Sequence, residues 1–279
     1  MYFFQNIISV VKNYILVYRS FVYIDKITNY LLYIQPHLMS FTHETRTDGF
    51  GAQYQGIITT ILYCKVKNLN YTYTPFTYVE HNYENDLYYL KKLEELINLK
   101  DNMITECHPP PKKLPYGEVS FCMESNIDNY CNSDAMHIIK SIFWKNKERD
   151  HFKNNKINIA VQIRRENTND YGSAGDRAST PNDYYIRIIK KIREEYANKQ
   201  IQFHIYSQGP AVNFQDLLEA DTQFHLDEEI TSTFIGMVAA DILILSPSSF
   251  SYVAGLLSDG KVYYKNFWHN KKKEWILCE

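Results

Sequence analysis

Two stretches of this chain carry groups able to do chemistry. Val161-Gln162-Ile163-Arg164-Arg165-Glu166 sets two guanidinium groups and a carboxylate at the end of an apolar run, Ile157 to Ile163. Ser246-Pro247-Ser248-Ser249-Phe250-Ser251 closes a second apolar run, Ala240 to Leu245, and leads into Tyr252-Val253-Ala254-Gly255-Leu256-Leu257. A guanidinium is a planar fork of donors that grips phosphate oxygens two at a time. Hydroxyls and unpaired N–H groups at a helix start also hold anions. Four serines within six residues exceed what a helix cap needs. The pair of motifs therefore suits a phosphate-bearing ligand. Neighbouring strand residues point to opposite faces, so one of Arg164 and Arg165 can face a cleft while the other anchors structure.

The elements that must position these groups alternate between strand and helix. Strands are expected at Leu38–Thr42, Tyr71–Thr74, Ile157–Ile163, Gln202–Tyr206, Gln223–Leu226, Asp241–Leu245 and, last, Lys261–Tyr264. Helices are expected at Gln55–Lys67, with Ile57, Ile58, Ile61, Leu62 and Val66 as an apolar stripe, and at Glu84–Leu99, with Leu87, Leu90, Leu93 and Ile97 on one face. Further helices fall at Asp134–Lys147, Phe214–Ala220, Ile230–Ala239 and Ser248–Leu257. Another starts at Thr180-Pro181-Asn182-Asp183, a hydroxyl at the N-cap with proline next. Between the first strand and helix lies a glycine loop, Asp48-Gly49-Phe50-Gly51-Ala52-Gln53. The proline run His108 to Pro115 reads as an extended surface connection. The alternation predicts parallel, doubly wound α/β architecture with ligands at the strand tips. A boundary near residue 150 separates a unit of residues 39–150 from one of residues 151–279.

Composition narrows the classes. With 279 residues, 45% hydrophobic and 22% charged, the chain is globular, and a net charge of −2 argues against a nucleic-acid partner. The five cysteines form no Cys-x-x-Cys pair; Cys122 and Cys131 are the pair able to bridge, and reduced thiols in a cytoplasmic protein are the favoured reading. No Gly-Lys-Ser/Thr, Gly-x-Ser-x-Gly or Asp-x-Asp occurs, so a P-loop, a serine-hydrolase elbow and a metal–diphosphate clamp are not expected. His225 and His269 read as isolated structural histidines. Residues 1–38 are aromatic-rich but broken by Lys12, Arg19, Asp25 and Lys26, short of the roughly 20 apolar residues a membrane span needs. They read as a non-core extension with at most weak membrane association, and Met39 opens the folded part.

The motifs together resemble a known group. Ile159 to Glu166 resembles the His-x-Arg-Arg-x-Asp motif of the α-1,6- and protein O-fucosyltransferase superfamily. Ala240-Asp241-Ile242-Leu243-Ile244 with Ser248-Ser249 resembles its second donor motif, and Gly49-Phe50-Gly51-Ala52-Gln53 is similar to its N-terminal glycine loop. The resemblance spans residues 39–268. It implies a GT-B fold, two Rossmann-like domains with a cleft between them. It also implies inverting, metal-independent transfer of fucose from GDP-fucose to a glycan or protein acceptor, with no cofactor. Arg164 would then hold the β-phosphate, Asp241 the guanine, and Ser248 and Ser249 the phosphates. Gly49, Phe50, Gly51, Gln53, Gln162, Arg165, Ser246 and Phe250 would complete the donor site. Asp48, Glu166 and Asp170 are the candidate bases for the acceptor proton. The motif's His is Gln162, its Asp is Asn167 and the loop Asn is Ala52, so base and sugar recognition depart from the pattern. Another nucleotide-sugar, or a silent binding module, is the alternative.

Overall fold

In the computed structural model, which describes residues 39–82, 85–165 and 180–279, every strand pairing is parallel. A three-stranded sheet orders as β2-β1-β3, from β1 (Ser40–His43), β2 (Asn70–Tyr71) and β3 (Lys112–Leu114). A six-stranded sheet comprises β4 (Ile157–Gln162), β5 (Ile201–Ser207), β6 (Thr222–Leu226), β7 (Ile242–Ile244), β8 (Lys261–Tyr264) and β9 (Ile276–Leu277). Its order is β6-β5-β4-β7-β8-β9. Counted from β4, that is 3-2-1-4-5-6, the strand order of a Rossmann-type sheet.

The helices are α1 (Phe50–Val66), α2 (Tyr89–Ile97), α3 (Tyr116–Ser125), α4 (Ile127–Cys131), α5 (Asp134–Trp144), α6 (Asn182–Glu195), α7 (Ile230–Ala239) and α8 (Ser249–Leu257). Strand alternation splits the large sheet between two cores. Ile159, Val161, Phe203, Ile205, Ile242, Ile244 and Tyr263 face α6 through Tyr185, Ile188 and Ile192. Ala160, Tyr206, Leu243, Val262 and Tyr264 face α7 and α8. That second core continues without a break into α1, α2 and α5, so both halves of the chain share it. No helix among the described residues is long and apolar enough to cross a membrane.

Several local expectations are corrected. The Gly49–Gln53 loop is the first turn of α1: Gly49 is its N-cap in an extended conformation, and its carbonyl accepts from Ala52 N (3.1 Å) and Gln53 N (3.2 Å). The second helix begins at Tyr89, and Leu87 before it is 95% exposed and not on the apolar face. That helix ends where Asn98 turns left-handed, at φ 58°, a conformation Asn tolerates well. The proline run contains β3, an edge strand, the one place a sheet accepts neighbouring prolines readily. Helix α6 starts one residue late, with Pro181 as the N-cap and Thr180 before it. The 211–217 turn is 3-10 rather than α. Helices α3 and α4 and the edge strand β9 lack a strong period and were not expected. All five cysteines are free thiols.

Candidate functional site

The strand order reverses between β4 and β7, whose pairing runs from Ile159↔Ile242 to Val161↔Ile244. In open parallel sheets the crevice beyond the C-terminal tips at such a point is where ligands bind. Arg164 and Arg165 leave β4 at that edge, and Ser246 to Ser249 leave β7 beside them. The fold thus brings the two sequence motifs to one place.

The arginines divide the work. Arg165 Nη1 donates to Thr180 O and Arg164 O, both at 2.9 Å, its Nη2 donates to Asn182 Oδ1, and the guanidinium lies 5.7 Å from the Phe214 ring centre. It ties the β4 tip to the start of α6, and burial lowers its basicity. Arg164 is half-buried, and its Nη1 donates to Arg165 O (2.9 Å) and to Gln208 Oε1 (3.3 Å), beyond the tip of β5. An open depression of about 430 Å³ lies on the Arg165 side, lined by Thr180, Asn182, Asn213 and Asp216. It is beside α6 and not between β4 and β7.

The serines are more tightly bound to one another than capping predicts. Ser248 is the N-cap of α8, its Oγ accepting from Ser251 N at 3.2 Å. Ser251 Oγ donates to Ser246 O at 2.8 Å, and Ser246 Oγ donates to Gln162 Oε1. Gln162, at the position of the motif histidine, therefore cross-links the tips of β4 and β7 from a buried site. Ser249 is half-exposed, and its Oγ lies 3.2 Å from His269 Nε2. His269 is not isolated as expected: its Nδ1 lies 2.8 Å from Glu124 Oε1, on α3. His225 likewise has partners, His204 at 3.0 Å and Glu228 at 2.8 Å.

The glycine turn meets this site end-on. A Cβ on Gly51 would lie 2.3 Å from Phe250 Cα and 2.4 Å from Phe250 N, so the N-termini of α1 and α8 touch backbone to backbone. Both positive helix ends therefore point into one neighbourhood. Phe50 and Phe250 belong to one aromatic cluster. Phe50 is buried against Phe234 (5.3 Å) and Tyr54 (5.6 Å), and the partly buried Phe250 lies tilted against Phe234 (5.4 Å). Gln53 Nε2 donates to Asp48 O (2.6 Å) and Tyr78 O (2.9 Å), holding the loop. A Cβ on Gly49 would lie 2.9 Å from the His81 ring. Asp48 is paired with Arg46, whose guanidinium lies 4.0 Å over Tyr116.

Asp241 is placed elsewhere. It is exposed ahead of β7, at the N-terminal edge of the sheet, and its Oδ2 accepts from Asn158 N at 2.8 Å. At about 3.3 Å per residue the tip lies roughly 16 Å away, so the Asp241 carboxylate and the Ser248 cap stand at opposite ends of β7. Glu166, Asn167, Asp170, Asp176 and Arg177 lie outside the described residues. Among the described residues no group of three His, Cys, Asp or Glu side chains is placed to hold a metal. The pairing of His269 with Glu124 escaped sequence reasoning because the two sit 145 residues apart.

No protein-family model matches the chain, and no curated protein matches it. Two solved structures do. A crystal structure of POFUT1 in complex with GDP is 12% identical at a TM-score of 0.30, covering 87% of this chain and 75% of that one. A structure of POFUT1 in complex with GDP-fucose is 11% identical at 0.29, covering 87% and 74%. A likeness of that size leaves the site to be read from its own geometry.

Proposed function

We propose that this chain is a glycosyltransferase that takes a nucleotide-sugar donor across the tips of β4 and β7. GDP-fucose is the donor the sequence motifs favour, and a glycan or protein is the acceptor. The observation that carries the reading is that Arg164 leaves the tip of β4 where the order of a 3-2-1-4-5-6 sheet reverses, next to β7, whose own tip runs into the Ser248-capped helix. In this reading Arg164 leaves Gln208 to hold the diphosphate and offsets the charge that develops as the sugar departs, without a metal. Residues 151–279 form the donor side and residues 39–150 the acceptor side of a GT-B-like pair. Glu166 or Asp48 takes the acceptor proton, and Asp48 must first part from Arg46. A second reading, a nucleotide-binding module without transfer, is favoured by the serine network and Gln162 satisfying one another.

The test is thermal stabilisation of the full chain by GDP, UDP, CDP, ADP and their sugars, with and without EDTA, followed by donor hydrolysis. Selective stabilisation by GDP or GDP-fucose, unmoved by EDTA and at least tenfold weaker in a folded Arg164→Ala variant, is expected. Arg164→Lys should also bind weakly, because a single ammonium cannot reproduce the fork. Stabilisation without any donor turnover would leave the binding module, and no response to any nucleotide would overturn both readings.

A further inference from the structure

The side chains of Ser249, His269 and Glu124 lie in a line of hydrogen bonds. Ser249 Oγ is 3.2 Å from His269 Nε2, and His269 Nδ1 is 2.8 Å from Glu124 Oε1. A carboxylate only accepts, so Nδ1 carries the ring proton and Nε2 is left to accept from the serine hydroxyl. A hydroxyl on a base, with the base oriented by a third group, is the arrangement that activates a serine nucleophile, whatever the chain order.

The supporting contacts fix this geometry. The other Glu124 oxygen accepts from Asn270 N at 2.5 Å, and Asn270 Nδ2 donates to Glu124 O at 3.1 Å. The imidazole is 5% exposed and lies 4.5 Å from the Tyr252 ring at 23°. Tyr264 OH donates to the carbonyl of His269. Ring and carboxylate are thereby held from both sides, while Ser249 keeps partial exposure. Ser249 opens the helix that follows β7, a strand–turn–helix position where a nucleophile can stand clear of the backbone. The sequence carries none of the glycine pattern of a nucleophile elbow; Ser248 caps the helix in its place.

We infer that Ser249, His269 and Glu124 form a nucleophile–base–orienter triad that cleaves activated carboxylic esters. Ser249 Oγ attacks the acyl carbon as its proton passes to His269 Nε2. The ester C–O bond breaks, and the departing alkoxide takes that proton. Water, deprotonated in turn by Nε2, then attacks the acyl-serine and releases the acid. The sum is ester plus water giving acid plus alcohol, with no cofactor. This reading shares Ser249 with the proposed donor site but needs no nucleotide-sugar.

The experiment treats the full chain with a fluorophosphonate reagent, locates the adduct by mass spectrometry, and follows p-nitrophenyl butyrate hydrolysis. One adduct per chain at Ser249 is expected, none in Ser249→Ala, and labelling at least 100-fold slower in His269→Gln and at least tenfold slower in Glu124→Gln. Ser249→Ala leaves the His269–Glu124 pair in place, so its far-ultraviolet dichroism and urea midpoint check the fold. Labelling of the folded wild-type chain no faster than that of the urea-unfolded chain, or labelling at another serine, would overturn the triad and leave these side chains as a staple between α3 and α8. Nucleotide stabilisation is read without the reagent, so a chain that binds GDP but is not labelled loses the triad alone, and a labelled chain that ignores nucleotides loses the donor site alone.

Discussion

Replacing Gly51 by alanine tests the contact on which the candidate site is built. The added methyl would stand 2.3 Å from Phe250 Cα, 2.4 Å from Phe250 N and 2.8 Å from Ser249 C. All three atoms are backbone, so no rotamer change relieves the clash. Ordinary contact begins near 3.4 Å, and α1 and α8 must part by about 1 Å. Such a gap forfeits roughly a quarter to a half of the dispersion energy along the interface. It also opens the aromatic cluster of Phe50, Phe234 and Phe250, whose ring centres lie 5.3 to 6.3 Å apart. Overpacking against side chains costs about 1–3 kcal/mol, and a backbone-on-backbone clash belongs at or above the top of that range, about 3 kcal/mol. The assay is urea unfolding followed by far-ultraviolet dichroism, with the m-value checked for constancy. Gly117→Ala is the control. Its site is exposed in the first turn of α3 with nothing within 4 Å of the new methyl, and it should gain about 0.5 kcal/mol. A Gly51→Ala chain within about 0.5 kcal/mol of wild type would refute the abutting helix ends, and with them the shared neighbourhood of the glycine turn and the serine cap.

Two further outcomes follow from the same contacts. Arg165→Ala removes hydrogen bonds to Thr180 O, Arg164 O and Asn182 and should cost about 2 kcal/mol in urea unfolding; a loss below about 0.5 kcal/mol would mean that it does not anchor α6. His204, buried beside Phe152 and bonded to His225 and Asn158, is held by burial, and next by the charge of His225, at a pKa of about 4 against an ordinary 6.5. The unfolded chain therefore binds the proton first, so stability is full above about pH 6.5 and falls as pH drops toward 4, by up to about 3 kcal/mol. Urea midpoints between pH 7.5 and 4.5 should fall less steeply in His204→Gln, and parallel slopes would contradict the assignment.

The sequence by itself determined the α/β alternation and the two strand tips that carry polar groups. Apolar runs such as Ile157–Ile163 and Asp241–Leu245 have the length of buried strands, and the arginines and serines end them abruptly. Their adjacency was not legible, because strand order depends on how helices cover both faces of the sheet and not on any local pattern. Tertiary structure also reassigned individual residues. Phe50 looks like a loop residue by spacing but, with Phe250 packed beside it, joins a core that spans both halves. Asp241 belongs by sequence to the serine motif, yet three intervening strand residues carry the carboxylate to the opposite edge of the sheet. Gln162 departs from the motif histidine in sequence and in space cross-links the two tips. The pairing of Glu124, Ser249 and His269 was decided by tertiary structure alone. Hydrogen bonds between residues 20 and 145 positions apart obey no period, and only the packing of α3 against the segment between β8 and β9 brings them within reach.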